Sequence, residues 1–225
     1  MPNNTYDSKG GYTGYNRNNA DREAHDFYAT APWEVTNFIN LIGLTDYVND
    51  NNKNILEPSA GNGAMIRGML DAGIKENLIT ATDLIDYQNK IETRVDIKAG
   101  DEYNFLKDTY PVTECDIIIM NPPFKNNYEF ITKALTIAKE KVIVFNRVQL
   151  LEGIKRYEAL YENCQLTDVY VYVNRVNCYT SGEIDLNAAA SPQCYAWFVW
   201  DKTIQKDYPS LHWIKRIEKK DIHFS

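Results

Sequence analysis

Residues 116–124 read Asp-Ile-Ile-Ile-Met-Asn-Pro-Pro-Phe, an apolar run that ends in an amide, two prolines and an aromatic ring. The uninterrupted apolar run is typical of a parallel strand that is buried on both faces. Pro122 and Pro123 end this strand, because neither has an N–H to donate to a neighbouring strand. The strand therefore ends in a rigid turn that carries Asn121 and Phe124. Taken alone, the turn also fits a simple strand end in which Phe124 covers the core.

The composition of the chain fits one soluble α/β domain. It has 225 residues, of which 44% are hydrophobic, and this is enough for one sizeable core. The net charge is −7, so nucleic acid would have to be attracted by a local patch or by a partner. The four cysteines and three histidines show no metal-ligand spacing, so we expect no metal site. Free thiols in a reducing cytoplasm fit this sequence better than a disulfide framework.

The two ends of the chain differ in character. Residues 1–25 are polar and rich in Asn and Gly, which predicts a flexible arm, and residues 26–225 are predicted to form a single domain. The polar start does not resemble a signal peptide. No apolar run approaches the roughly 18–20 residues of a membrane helix, so we expect no membrane association. A cytoplasmic location is the expectation.

Strands and helices alternate along most of the chain, which predicts a parallel sheet with helices on both faces. The late strands at 166–173 and 195–200, with a further one at 211–214, predict one antiparallel edge. A long polar loop at 174–193 separates them, and its length indicates a possible role in substrate recognition. The earlier strands are predicted at 54–57, 78–82, 95–99, 116–120 and 142–145, and the helices at 33–42, 65–70, 126–139 and 151–163.

Polar residues or glycines follow four of the predicted strands at their carboxyl ends. Ligands of open parallel sheets bind beyond these ends, so the residues are expected to line one crevice. Singly, either aspartate is better explained as the cap of a short helix. Together, their order along the sheet favours a ligand site. They are Glu57 with Gly61 and Gly63, then Asp83, Asp101 and Asn121.

The chemistry of this crevice suits a nucleoside ligand that has no phosphate to hold. The glycines allow close approach of the backbone, but the loop lacks the lysine of a P-loop and the full pattern of dinucleotide binders. Asp83 after the second strand suits ribose hydroxyls. Asp101 could accept a hydrogen bond from an exocyclic amine. Glu57 would repel phosphate but tolerate an ammonium or a sulfonium group.

These motifs resemble the class I S-adenosylmethionine-dependent methyltransferases. The Glu-Pro-Ser-Ala-Gly-Asn-Gly loop at 57–63 and the Asn-Pro-Pro-Phe turn are similar to those of amino-methyltransferases with a (D/N)PP(Y/F) motif. The likeness is strongest to DNA adenine-N6 methyltransferases, including small phage-type members, and covers residues 26–201. It implies a Rossmann-like α/β fold with a mostly parallel seven-stranded sheet, one antiparallel strand and helices on both faces.

The resemblance implies S-adenosylmethionine as the cofactor and assigns residues by position. Asp83 would hold the ribose, Leu84 would lie beside the adenine, and Asp101 would meet the adenine amine. The whole implied cofactor set is Tyr28, Thr30, Glu57, Pro58, Ser59, Gly61, Gly63, Asp83, Leu84 and Asp101. The implied catalytic residues are Asn121, Pro122, Pro123 and Phe124.

The implied reaction is methyl transfer to an exocyclic amine. Asn121 and the carbonyl of Pro122 would accept hydrogen bonds from the target amine, and Phe124 would stack on the base. Adenine N6 in DNA is the first expectation. RNA adenine, a protein glutamine amide and a non-catalytic methyltransferase-fold subunit are the alternatives.

The chain departs from larger members of this group, which carry a separate target-recognition domain. Only 25 residues follow Trp200, since 225 less 200 leaves 25. Recognition would then fall to the 174–193 loop, the N-terminal arm, a specificity partner or a homo-oligomer. The candidate substrate-binding residues are Lys125, Arg147, Gln149 and Arg156, which follow strand ends. A solvated helix start explains these charges equally well.

Overall fold

The computed structural model describes residues 27–87, 93–162, 166–180 and 191–217. The helices are α1 (Pro32–Leu41), α2 (Leu44–Asp50), α3 (Ala64–Asp71), α4 (Asn127–Ile137) and α5 (Ile154–Arg156), which continues as a π-helical segment, Tyr157–Glu162. The strands are β1 (Tyr28–Thr30), β2 (Ile55–Glu57), β3 (Ile79–Asp83), β4 (Ile97–Ala99), β5 (Cys115–Met120), β6 (Ala138–Arg147), β7 (Asp168–Tyr172), β8 (Cys178–Thr180), β9 (Tyr195–Asp201) and β10 (Ser210–Ile214).

The central sheet has eight strands in the order β10-β7-β9-β6-β5-β2-β3-β4. Five neighbouring strands, β4, β3, β2, β5 and β6, are parallel to one another. Strands β7 and β10 are also a parallel pair. Strand β9 is antiparallel to both of its neighbours, β6 and β7. The prediction of one antiparallel strand is confirmed, but this strand lies inside the sheet and not at an edge. The resemblance implied a seven-stranded sheet, whereas the sheet has eight strands; the additional one is β10, which the sequence predicted at 211–214.

The apolar runs of the sequence are buried between two layers of helices, as predicted. Alternate residues of β5 point to opposite faces, so Ile117 packs with α1 and α3 while Ile118 packs with α4. Phe38 of α1 stacks on Trp197 of β9 with the ring centroids 4.3 Å apart. Full burial of a side chain of this kind contributes about 1.5–3 kcal/mol. The core therefore fixes the sheet on both sides and leaves its carboxyl edge for polar residues.

Three elements, α2, β1 and β8, were not predicted from the sequence. Helix α2 follows Gly43 at φ 63°, and buries only Leu44 and Val48, which is too weak a pattern to read in isolation. Strands β1 and β8 form a separate two-stranded antiparallel sheet, in which Thr30 faces Cys178. Strand β8 therefore lies within the predicted 174–193 loop. The middle of that loop, 181–190, and the predicted N-terminal arm lie outside the described residues.

None of the described helices has the length and apolar character needed to cross a membrane.

Candidate active site

A cavity of about 660 Å³ opens where β2, β3 and β5 end and where β1 passes over them. Parallel strands present their carboxyl ends at one edge of the sheet, so residues far apart in the sequence meet there. The structure brings many of the predicted site residues into the wall of this cavity. They are Tyr28, Thr30, Glu57, Pro58, Ser59, Asp83, Leu84, Asn121, Pro123 and Lys125.

Glu57 is a fully buried carboxyl group at the end of β2. Its Oε1 accepts hydrogen bonds from the N–H and the hydroxyl of Ser59, both at 2.9 Å. Its Oε2 is buried and has no hydrogen-bond partner. Burial raises the pKa of Glu57 to about 8, against the opposing effect of the Ser59 hydrogen bonds, and the charge of Asp83 raises it further. A cation beside Oε2 would remove this penalty, so the position suits a positively charged ligand group.

Asp83 ends β3 and holds two turns in place. Its Oδ2 accepts a hydrogen bond from the N–H of Gly61, and its Oδ1 accepts one from the N–H of Ile85, both at 2.8 Å. Each carboxylate oxygen has lone pairs for a second donor. Asp83 therefore shapes the loop at 57–63, and its side chain lies in the cavity wall.

The glycine loop lies behind the cavity wall. Gly61 has φ +55°, and a Cβ at this position would lie 2.3 Å from the ring of Phe27, which precedes β1. Gly63, at φ +91°, immediately precedes α3. The two glycines are absent from the lining of the cavity. Their role in this structure is to bend the loop and to let Phe27 pack against it.

Asn121 follows β5 and is held by β1. Its Nδ2 donates hydrogen bonds to the main-chain carbonyl of Tyr28 at 2.7 Å and to Oγ1 of Thr30 at 3.0 Å. Its Oδ1 is buried and has no hydrogen-bond partner. Its main-chain carbonyl accepts a hydrogen bond from the Ser59 hydroxyl at 3.4 Å. The side-chain amide is therefore fixed by its nitrogen, and its oxygen remains as a buried acceptor.

Phe124 lies in a group of aromatic rings next to the cavity. Its ring centroid is 5.2 Å from that of Tyr28 and 6.3 Å from that of Tyr195. The guanidinium of Arg147, the last residue of β6, lies 4.1 Å from the centre of the Phe124 ring. Such a cation–π contact contributes about 0.5–2 kcal/mol. A planar group that stacked on this face of Phe124 would take the place of the guanidinium.

The structure does not bring Asp101 to the cavity. A short 3-10 turn, Asp101–Tyr103, follows β4, and the Asp101 side chain is 79% exposed and paired with Lys107. The wall contains Asn104, Phe105 and Leu106 instead. The turn directs Asp101 into solvent because the chain is anchored by the burial of Phe105. The polar stretch 101–109 contains Phe105 and Leu106 as its one apolar pair, and this was the available signal for a buried turn.

Gln149 and Arg156 also lie outside the lining of the cavity. The guanidinium of Arg156 donates to the carbonyl of Glu152 at 2.6 Å and to the carbonyl of Gln149 at 3.3 Å. This side chain therefore closes the turn that follows β6. Of the four candidate substrate-binding residues, Lys125 lies in the cavity wall and Arg147 lies on Phe124.

The described residues contain no group of three or more His, Cys, Asp or Glu side chains that could hold a metal ion.

Comparison with known proteins gives structural relatives only. No protein-family model matches the sequence, and no curated protein matches it. A Listeria monocytogenes protein assigned to the class I S-adenosylmethionine-dependent methyltransferases superposes with a TM-score of 0.53 at 11% identity, over 82% of this chain and 65% of that one. The fold is that of the class I methyltransferases.

Two further structures share this fold. One is the methyltransferase subunit of a type I restriction-modification system from Streptococcus thermophilus, with a TM-score of 0.55 and 11% identity over 84% of this chain. The other is DrdV in complex with DNA, with a TM-score of 0.57 and 13% identity over 92% of this chain. The chain spans 47% of the first and 31% of the second, so it is much shorter than either.

Proposed function

We propose that this chain transfers a methyl group from S-adenosylmethionine to an exocyclic amino group, in the first place adenine N6 in DNA. The observation that carries the proposal is the Asn121 side chain, whose Nδ2 has two acceptors while its Oδ1 is buried without a partner. Buried acceptors are almost always paired, and an unpaired one indicates a missing donor. A substrate amino group would bring that donor.

The cavity wall fits the chemistry of the proposed cofactor. Glu57 presents an unpaired buried oxygen, which suits the ammonium or sulfonium charge of S-adenosylmethionine. Asp83 lies in the cavity wall, where its carboxylate suits the hydroxyls of a ribose. Leu84 is 40% exposed at the cavity and offers an apolar surface for an adenine ring. The cofactor, when bound, would supply an electrophilic methyl group: its sulfur–methyl bond would break as the nitrogen–methyl bond forms, a neutral thioether would leave, and the nitrogen would lose one proton to solvent.

The residues of the Asn-Pro-Pro-Phe turn would act on the acceptor nitrogen. The lone pair of an aromatic amine is delocalised into the ring, which makes the nitrogen a poor nucleophile. Asn121 Oδ1 and the carbonyl of Pro122 would accept its two hydrogens, which favours a pyramidal nitrogen and stabilises the positive charge that develops on it. Pro122 and Pro123 hold these acceptors in a fixed turn, so little reorganisation is needed during the reaction.

The surroundings of the turn favour a nucleic-acid base as the substrate. Phe124 offers a ring for stacking, which contributes about 1–3 kcal/mol per base. Arg147 and Lys125 bring positive charge to this side of a chain whose net charge is −7. The resemblance of the motif to DNA adenine-N6 methyltransferases puts DNA first, and one structure of the same fold was determined with DNA bound. A duplex base would have to be flipped out, at a cost of a few kcal/mol.

A labelled-methyl assay tests the proposal. Radiolabelled S-adenosylmethionine is incubated with separate pools of DNA, RNA and protein, and the labelled product is digested and identified. We expect label in DNA as N6-methyladenine. Asn121→Ala should abolish transfer and leave cofactor affinity nearly unchanged, because its amide acts on the substrate amine. Asn51→Ala removes an exposed amide at the end of α2 and serves as the matched control.

Each other result of this assay contradicts a different part of the proposal. Label confined to RNA or protein would reject DNA as the substrate. Cofactor binding without any transfer would favour a non-catalytic subunit. Equal losses of transfer and of cofactor affinity in Asn121→Ala would refute the role given to Asn121.

A further inference from the structure

The chemistry at Asn121 depends on which end of its amide faces the substrate. The oxygen and the nitrogen of an asparagine side chain occupy almost the same space, yet one accepts hydrogen bonds and the other donates them. An amine that approached the nitrogen would meet two more donors and would gain nothing. The site therefore needs a device that selects the orientation of the amide.

Strand β1 supplies the contacts that select this orientation. The main-chain carbonyl of Tyr28 is an obligate acceptor, and it lies 2.7 Å from Nδ2 of Asn121. With the amide reversed, two oxygens would face each other at this distance. Oγ1 of Thr30 lies 3.0 Å from the same nitrogen and accepts its second hydrogen bond. Thr30 is only 3% exposed, so water cannot readily replace this bond.

We propose that the Tyr28 carbonyl and the Thr30 hydroxyl form a clamp that turns Asn121 Oδ1 toward the target amine, and that Thr30 is a positioning residue. The proposal rests on the proposed function. It changes the role of Thr30, which the sequence resemblance placed in the implied cofactor set. It also makes the acceptor depend on β1, which is paired with β8 from the predicted recognition loop.

The clamp is specific to asparagine. An aspartate at position 121 has no N–H to donate, so one of its oxygens would face the Tyr28 carbonyl without a hydrogen. Although the turn would keep its shape, this repulsion would rotate or displace the carboxylate. Asn121→Asp should therefore be nearly as inactive as Asn121→Ala, with a loss of about 100-fold or more in kcat.

The decisive experiment compares variants of Thr30 in the full chain. Thr30→Val keeps the shape of the side chain and removes the acceptor. We expect kcat to fall about 3–10-fold, which corresponds to one hydrogen bond, with cofactor Kd and substrate KM nearly unchanged. Thr30→Ser restores the hydroxyl and should restore kcat. Thr36→Val is the matched control, since the Thr36 hydroxyl donates to the carbonyl of Pro32 in its own helix, α1, and to that of Gly68 in α3.

A second measurement is independent of methyl transfer. In protein labelled with ¹⁵N-asparagine, the side-chain NH₂ signals of Asn121 are identified by their loss in Asn121→Ala. We expect slow exchange of these protons with solvent in the wild type, and an upfield shift and faster exchange of one of them in Thr30→Val. These signals report on the clamp even if the wild type methylates no substrate, so the two proposals fail separately.

Three results would overturn the clamp. Unchanged Asn121 NH₂ signals in Thr30→Val would show that no bond to Thr30 exists. A weaker cofactor Kd with unchanged kcat would place Thr30 in the cofactor pocket instead. Full activity of Asn121→Asp would equally reject the clamp, since its acceptors would then be unnecessary.

Discussion

Glu57 and Asn121, at the ends of two strands, each have one buried side-chain oxygen without a hydrogen-bond partner. Glu57 has one oxygen bonded to Ser59, Asn121 has its nitrogen bonded to β1, and the remaining oxygen of each is buried without a partner. An unsatisfied buried acceptor costs about 1–3 kcal/mol. A fold rarely keeps two such costs at one cavity unless a ligand satisfies them. In the proposed reaction, the Glu57 oxygen would face the cation of the cofactor and the Asn121 oxygen would face the amine of the substrate.

The state of Glu57 predicts how cofactor binding depends on pH. Burial raises its pKa to about 8, so the carboxyl is largely protonated at pH 7 in the free protein. A cation at Oε2 favours the carboxylate, so binding should release this proton, and affinity should increase as the pH is raised toward 8. Titration calorimetry at pH 7 in buffers of different ionisation enthalpy would measure the release. Glu57→Gln should bind more weakly, and the proton release attributable to Glu57 should be lost.

The difference in proton release between the wild type and Glu57→Gln measures the contribution of Glu57, because protons exchanged by the cofactor itself are common to both. Glu34→Gln is the matched control. Among the described residues, Glu34 is the other buried carboxyl with a raised pKa, about 7, and it lies outside the cavity wall. Its substitution should leave the proton release intact. The same release from wild type and Glu57→Gln would contradict a role for Glu57 in binding the cation.

Among the strands and turns, those that depend on a local sequence pattern were predicted correctly, and those that depend on long-range contacts were not. Strand β5 and the turn after it were predictable because an apolar run and two prolines restrict the backbone directly. Strands β1 and β8 have three residues each, and their pairing depends on long-range contacts that no local pattern records. The sequence therefore indicated that Thr30 belongs to the site but not that it binds Asn121. Asp101 was misplaced for a similar reason, since a single short turn decides whether it or Asn104 reaches the cavity.

The packing of the glycine loop against the start of β1 gives a prediction about these elements. In Gly61→Ala the new Cβ would lie 2.3 Å from the Phe27 ring, so the ring must move, and with it the approach to β1. We expect cofactor affinity and kcat to fall together, because the loop and the Asn121 acceptors are both disturbed. Binding isotherms and steady-state kinetics would measure the two effects.

Gly43→Ala is the control for backbone strain in this experiment. Gly43 has a similar φ of +63°, but nothing lies within 4 Å of a Cβ built there. It should lose stability by about 1–2 kcal/mol from the left-handed conformation and keep its cofactor affinity. If Gly61→Ala were less stable but kept its cofactor affinity and kcat, as expected for the control, then the contact with Phe27 would not matter for function.

At the scale of the whole molecule, buried carboxyl groups set the pH dependence of stability. Burial raises the pKa of Glu34 to about 7 and that of Glu57 to about 8, from a usual value of 4.5. Between pH 4.5 and 8 the folded chain therefore binds more protons than the unfolded chain, so stability falls as the pH rises. Glu140 has the opposite effect on the pH dependence of stability, because its hydrogen bond from Lys53 lowers its pKa. Its contribution is lost only in more acidic solution.

The ionisation of Glu34 contributes to the pH dependence of stability from a position outside the candidate active site. It is 4% exposed on α1, faces Tyr172 of β7 and Trp33, and lies near Arg216 and Ile217 after β10. Its Oε2 has no hydrogen-bond partner. Glu34→Gln removes the cost of ionising this group. At pH 8 we expect the variant to be more stable than the wild type by about 2 kcal/mol, which is a rise in Tm of roughly 4–8 °C.

The same substitution should have a much smaller effect at pH 5, because Glu34 is protonated in the folded chain and the pH lies only slightly above 4.5, so ionising this group in the unfolded chain gains little free energy. Thermal unfolding followed by circular dichroism at pH 5 and pH 8 would measure both differences. Glu76→Gln makes the same change at an exposed position and should leave Tm unchanged at both pH values. An equal gain at pH 5 and pH 8 for Glu34→Gln would show that packing, and not ionisation, is responsible. A loss at pH 8 would show that the carboxylate of Glu34 is stabilised by Arg216 more than burial destabilises it.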